Sequence, residues 1–272
     1  MTKSLAAACL LLLAAGSAHA SGGQNYALEC TIVADARTGE ALHREGTCDQ
    51  RFAPASTFKF ALAVMGFDSG ILKSPHDPVW KLKPEFHASK REQAYKTVDP
   101  AIWEKDSIVW YSQQLTMKLG MKRFSDYVTE FDYGNMDVSG DPGKANGLTR
   151  AWLMSSLAIS PDEQIGFLHR FKTRSLPVSE QAYRQTEATI ATFDADDGWK
   201  VHGKTGSGWL RDKNGKIDET RPLGWFVGWA EKDGREVIFA RLNIGAEKSE
   251  KPGSIYAREK MLADLPRLVE AK

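Results

Sequence analysis

Apolar and polar residues alternate in three different ways along this 272-residue chain. Ala27–Ala34 carries β-branched Thr31, Ile32 and Val33 and reads as a strand; Arg37-Thr38-Gly39 turns it, and Ala41–Arg44 returns as a second strand. Thr57–Gly66 is apolar on almost every face, which predicts a buried central helix rather than a surface one, ending near Gly70. From about Ile71 to Thr189 the signals are helical. One helix runs Ser107–Leu119 and stops at Gly120. A second, Met121–Phe131, spaces Phe124, Tyr127, Val128 and Phe131 at helical intervals. Ser160-Pro161-Asp162-Glu163 is a capping box opening a helix to about Phe171, and a Gly-, Asp- and Asn-rich loop spans roughly residues 132 to 147. Strand character returns at Trp199–Thr205, Gly224–Ala230 and Glu236–Asn243, with turns at Lys213-Asn214-Gly215 and Asp233-Gly234, before a last helix from Ser254 to Ala271. Strands at both chain ends around a helical middle predict an α/β protein of the α+β type. One antiparallel sheet built from both ends is flanked by helices, with a mostly helical lobe inserted. The sheet lobe takes residues of about 24–55 and 190–272, and the helical lobe about 56–189.

The first twenty residues change the picture of where this fold works. Lys3, the apolar run Leu5–Ala15 and Ala18-His19-Ala20 have the make-up of a cleavable signal peptide, so the mature chain is expected to begin near Ser21 and to reach the periplasm. The run is too short to span a bilayer as a helix, and no later stretch reads as a membrane span. The remaining length suits a single domain, or two interleaved lobes. A net charge of +1 gives no basic footprint for nucleic acid or anionic membrane. Once Cys9 leaves with the signal, Cys30 and Cys48 remain in an oxidising compartment, flanking the first hairpin. They are either a disulfide or two buried thiols. The six histidines show no metal-ligand spacing, His202 reads as strand packing, and no metal or organic cofactor is expected. Asp194, Asp196 and Asp197 read as a solvated acidic loop.

The candidate chemistry lies in two short strings, Ser56-Thr57-Phe58-Lys59 and Lys204-Thr205-Gly206. S-x-x-K and K-T-G are each weak alone; together and in this order they point to serine acyl transfer on β-lactams or cell-wall peptides. A serine hydroxyl needs a base to take its proton, and a lysine three residues along a helix shares its face. At the helix start, Ser56 gains unpaired backbone N–H groups and the helix dipole; otherwise it is only a cap. Lys59 lies among Phe58, Phe60, Ala61 and Leu62, where burial favours the neutral amine, unless the side chain snorkels out. Lys204 can meet an anionic group, Gly206 permits close approach, and an edge strand can pair with a substrate amide; a plain basic turn is the alternative.

The chain resembles the class D, oxacillinase-type, serine β-lactamases over essentially its whole mature length. The matching strings are Pro54-Ala55-Ser56-Thr57-Phe58-Lys59, Ser107-Ile108-Val109, Tyr133-Gly134-Asn135, Trp152-Leu153, Lys204-Thr205-Gly206 and Gly224-Trp225-Phe226-Val227-Gly228-Trp229. Class A enzymes have Ser-Asp-Asn where this chain has Ser107-Ile108-Val109. The resemblance implies an acylated nucleophile at Ser56. It implies a general base at Lys59, carboxylated by carbon dioxide as a carbamate. It further implies that Trp152 holds that carbamate by its indole N–H, that Val109 forms part of its apolar wall, and that Ser107 relays a proton to the leaving lactam nitrogen. Backbone N–H groups of Ser56 and Ser207 would form the oxyanion hole. Lys204, Thr205, Gly206, Ser207 and Arg258 would bind the substrate, with Arg258 on its carboxylate or, alternatively, a solvated charge. Tyr133-Gly134-Asn135 is expected to be a structural turn. The expected partners are β-lactam small molecules. A β-lactam-binding protein that does not clear its acyl-enzyme, either a sensor domain or a transpeptidase, is the rival; the cleavable signal and lack of a span count against the sensor.

Overall fold

The structure is a computed structural model and describes residues 26 to 270; the signal-peptide reading lies outside the described residues. Among the described residues, eight strands and seven α-helices follow the two-ended order, with the main strands near both ends and most helices between them. Strands β1 (Tyr26–Asp35) and β2 (Ala41–Gly46) come first. Near the other end follow β5 (Thr192–Asp194), β6 (Lys200–Arg211), β7 (Ile217–Lys232) and β8 (Arg235–Gly245). They form one six-stranded antiparallel sheet in the order β2-β1-β8-β7-β6-β5. The sheet closes early sequence onto late sequence at the β1–β8 pair, where Ile32 faces Ala240 and Val33 faces Phe239.

Successive strand residues point to opposite faces, and each face has its own core. On one face Cys30, Ile32, Trp225, Val227 and Leu242 pack against the helical lobe. On the other, Val33, Val201, Phe226 and Phe239 pack under Ala257, Met261, Leu265 and Leu268 of the terminal helix α7 (Gly253–Glu270). The central helix α1 (Phe58–Asp68) buries every residue from Phe58 to Phe67, Lys59 included, as a sequence apolar on almost every face demands. Among the described residues no helix is long and apolar enough to cross a membrane.

Two local features differ from the sequence reading, and a third agrees with it. The first helix of the middle region does not begin at Ser107. A short helix α2 (Pro100–Asp106) precedes it, Ser107 sits left-handed at φ 58° between helices, and α3 (Val109–Glu130) starts two residues on. Asp99 caps α2 by accepting from Ile102 N–H at 2.7 Å, with proline at the first helical position. The break at Gly120 is real: φ 75° and ψ 158° there interrupt α3, a conformation glycine alone adopts without strain. A two-residue hairpin, β3 (Trp80–Lys81) with β4 (Thr97–Val98), lies where little strand was expected. Helices α4 (Gly147–Arg150), α5 (Pro161–Lys172) and α6 (Glu180–Thr189) complete the lobe. The capping box of α5 forms in both directions, Glu163 N–H to Ser160 Oγ at 3.2 Å and Ser160 N–H to Glu163 Oε2 at 2.9 Å. Cys30 and Cys48 are bridged, with Cα atoms 5.2 Å apart.

Candidate active site

Ser56 occupies a single 3₁₀ turn, Ala55–Thr57, that leads directly into α1. Ala55 has φ 49°, an uncommon left-handed setting for a residue with a Cβ, and the turn is pinned on several sides. Ala55 N–H donates to Trp152 O at 3.1 Å, and Trp225 Nε1–H donates to Ala53 O at 3.0 Å. Thr57 Oγ1 donates to Pro54 O at 2.7 Å and accepts from Gln164 Nε2 at 3.2 Å. The same Gln164 amide reaches the Tyr133 hydroxyl at 3.3 Å, while Asn135 binds the backbone of Ser156 and Ala158; this turn is structural, as expected.

Lys59 Nζ lies 3.3 Å from Ser56 Oγ, across one turn of helix. The serine is half-buried and the lysine is 0% exposed, so the hydroxyl meets solvent and the amine does not. Burial, reinforced by the cation of Lys204, drives the Lys59 ammonium down to about 7, and Glu104 and Glu92 oppose the fall. The neutral amine expected from the sequence is therefore populated near neutral pH.

The K-T-G string does not end its strand. Lys204-Thr205-Gly206 is mid-strand in β6, which continues to Arg211. Neither is β6 the outermost strand; but β5 covers only Lys200–His202, so from Lys204 onward one edge carries no strand partner and faces the Ser56 turn. Gly206 is what lets the two meet: a methyl there would stand 2.8 Å from Pro54 O and 3.1 Å from Thr57 N. The close approach is thus to the nucleophile's own turn. Lys204 is 3% exposed and donates to Ser107 Oγ and Thr205 O, both at 3.2 Å. Burial lowers it to about 8, so it remains largely cationic at neutral pH. Ser107 is presented by its left-handed linker, which Arg91 clamps by donating to Asp106 O at 2.9 Å and Ser107 O at 3.3 Å.

Trp152 is fully buried, packs on Phe58 and Phe124, and its indole N–H has no acceptor among the described residues. Val109 opens α3 and is half-buried; its N–H donates to Glu92 Oε1. Ser207 is exposed on β6 and its hydroxyl donates to Ser254 Oγ at 2.6 Å. Arg258 of α7 lies with its guanidinium 5.1 Å from the Phe193 ring centre, and its charge acts on Lys204. His202 stacks on Trp229 at 4.7 Å between centroids, as strand packing requires. The acidic loop is less free than expected: Lys200 pairs with Asp194 and Lys232 with Asp197.

Two buried acids in this region escape the sequence reading. Glu92 accepts from Ser89 Oγ at 2.8 Å and from the first N–H of α3, where a carboxylate complements the helix dipole. Glu104, on α2, is 1% exposed; burial raises its carboxyl to about 7 against the pull of Lys204 and Lys59. Neither belongs to a short motif, and the only hint is an acid set within a sequence that has to be packed.

The family model of the penicillin-binding protein transpeptidase domain matches residues 29–265. The chain is 62% identical to Beta-lactamase OXA-9 of Klebsiella pneumoniae over 245 residues, covering 90% of this chain and 89% of that one. It is 36% identical to Beta-lactamase OXA-1 of Escherichia coli over 242 residues, covering 88% and 84%. The solved structure of the OXA-427 class D β-lactamase superposes with a TM-score of 0.82 at 42% identity, covering 89% of this chain and 98% of that one. A serine–lysine pair on a buried helix, faced by a lysine-bearing strand and matched at this identity over nine-tenths of the chain, places the protein in the class D β-lactamase family.

Proposed function

We propose that this protein hydrolyses β-lactam antibiotics in the periplasm through an acyl-enzyme at Ser56, with a carboxylated Lys59 as general base in both half-reactions. The observation that carries this reading is the 3.3 Å approach of the fully buried Lys59 Nζ to Ser56 Oγ. The residues fit the group that Lys59 would carry. Its amine is neutral enough to react, and the buried indole N–H of Trp152 lacks an acceptor, as a donor reserved for an anion would. When present, the carbamate supplies an anionic oxygen base beside Ser56.

In acylation Ser56 Oγ forms a bond to the lactam carbonyl carbon and gives up its proton to the base at Lys59. Backbone N–H groups of Ser56 and Ser207 would receive the developing oxyanion. As the C–N bond breaks, Ser107, held against Lys204, would deliver a proton to the leaving nitrogen and be reprotonated with the proton taken from Ser56, which frees the base for the second half-reaction. In deacylation a water would give its proton to the base carried by Lys59 while its oxygen attacks the ester carbonyl, and Ser56 Oγ would leave and take that proton back. Lys204 and Arg258 would hold the substrate carboxylate, with Thr205 and Gly206 lining the strand beside it. Lys59 is buried and already within 3.3 Å of Ser56 Oγ, so little reorganisation would be needed at the moment of proton transfer.

Nitrocefin turnover by the purified protein, with mass spectrometry of Lys59→Ala after exposure to a penicillin, tests the reading. Many turnovers for the parent and a persistent adduct on Ser56 in the variant are expected. A single burst from the parent would indicate a β-lactam-binding protein instead, and a variant that clears its adduct at the parent rate would remove Lys59 from the role.

A further inference from the structure

Glu104 is a buried acid that the reaction just described does not use. It lies on α2, three residues before Ser107, and both of its carboxylate oxygens are buried without a hydrogen-bond donor. Its neighbour in sequence space, Glu92, is by contrast occupied by Ser89 and Val109. A buried carboxylate with no donor is unfavourable as an anion and needs a reason to persist.

The charges around it define a closed set. Lys204 and Lys59 act on Glu104. Lys204, Glu104, Glu92 and Arg91 act on Lys59. Glu104, Arg91, Arg258 and Asp106 act on Lys204. Glu104, Lys59 and Lys204 are each at most 3% exposed, so these charges act on one another with little water to screen them.

We propose that Glu104 is the proton acceptor for carbon dioxide uptake by Lys59, so that the pocket keeps its charge when the lysine is carboxylated. This rests on the carbamate reading above. The Lys59 nitrogen forms a bond to the carbon of carbon dioxide. One C–O π bond breaks and its electron pair stays on oxygen, and the proton lost from nitrogen ends on a Glu104 oxygen. Before the step the pocket holds a neutral amine, a carboxylate and the Lys204 cation. After it, the pocket holds a carbamate, a neutral carboxylic acid and the same cation. Without an internal acceptor, either the proton goes to solvent or two anions face each other at low dielectric, which like charges resist strongly. Burial supports the neutral product form of Glu104 by raising its carboxyl to about 7, the same region in which Lys59 loses its proton.

Proton linkage makes this measurable. Labelled bicarbonate and carbon-13 NMR give the affinity of the purified protein for dissolved carbon dioxide as a function of pH, above the point near 7 at which Lys59 becomes neutral. Uptake that keeps its proton leaves that affinity nearly flat with pH in the parent, whereas uptake that releases one proton raises it about tenfold per pH unit. Glu104→Gln and Glu104→Leu, which lack the acceptor, are expected to show the tenfold slope. A tenfold slope already in the parent overturns the proposal without any variant, and so does an unchanged flat slope in a folded variant. No carbamate signal in the parent at any pH would overturn the general-base reading itself, a different and recognisable result.

Discussion

Trp152→Phe separates catalysis from folding more cleanly than any other substitution in the site. The indole is fully buried against Phe58, at 5.7 Å between centroids, and Phe124, at 6.3 Å, so phenylalanine keeps most of the packing and removes the N–H. Two effects on stability oppose each other. Lost ring volume costs on the order of 1–2 kcal/mol. Removing a buried donor that no protein atom accepts relieves about 1–3 kcal/mol. The net change is expected to stay within about 2 kcal/mol, of either sign. Catalysis has no such compensation. A hydrogen bond to a charged acceptor contributes about 1.5–3 kcal/mol, so carbamate retention is expected to fall by roughly 10- to 150-fold. The loss is one of affinity, so raising bicarbonate in the assay restores turnover by mass action. Thermal unfolding in bicarbonate-free buffer, carbon-13 NMR of the carbamate, and nitrocefin turnover across a bicarbonate series measure the three quantities separately. A variant with parental affinity for carbon dioxide would show that Trp152 is only a core aromatic. One that stays inactive at saturating bicarbonate would show that the indole acts on something other than retention.

Arg258→Ala is expected to lower kcat/KM for a penicillin by about 1–3 kcal/mol, the scale of a charge-assisted hydrogen bond, and to leave an esterified analogue unaffected. Equal effects on acid and ester would assign the guanidinium to packing on Phe193. Replacing both Cys30 and Cys48 by serine opens a loop closed across 18 positions and is expected to cost about 3 kcal/mol in denaturant unfolding; free thiols titrating in the native protein would contradict the bridge. Stability against pH tests Glu104 by a second route. Its folded carboxyl lies above the ordinary value of 4.5, at about 7, so the native state holds an extra proton in that window and loses stability as pH rises through it. Glu104→Gln removes this loss, so its stability relative to the parent is expected to improve by about 3 kcal/mol on going from below that window to above it. An equal difference at both ends would show that the carboxyl is not perturbed. The Lys59 amine acts in the opposite sense at higher pH: its folded value of about 7 lies below 10.5, so stability rises with pH between the two.

Much of this protein was legible in the order of its residues. A decapeptide apolar on almost every face reads as a core helix, and the Ser160 capping box and the break at Gly120 are decided by local backbone chemistry. Ser56 and Lys59 lie three residues apart on one helical path, so their meeting needs no knowledge of the rest of the fold. What lies between distant segments was not legible. Whether Cys30 meets Cys48 depends on how the chain leaves β2, and Lys204 reaches Ser107 only because β6 runs past the nucleophile's turn instead of stopping at K-T-G. Ser107 reads as the start of the helix that stops at Gly120. Its left-handed backbone is imposed by the α2–α3 junction and the Arg91 clamp. Glu104 is the plainest case. A glutamate in sequence reads as solvated, because burial of a charge is a property of everything packed around it. Only the tertiary structure, by drawing water away from that carboxylate, raises it toward neutrality against the pull of Lys204 and Lys59.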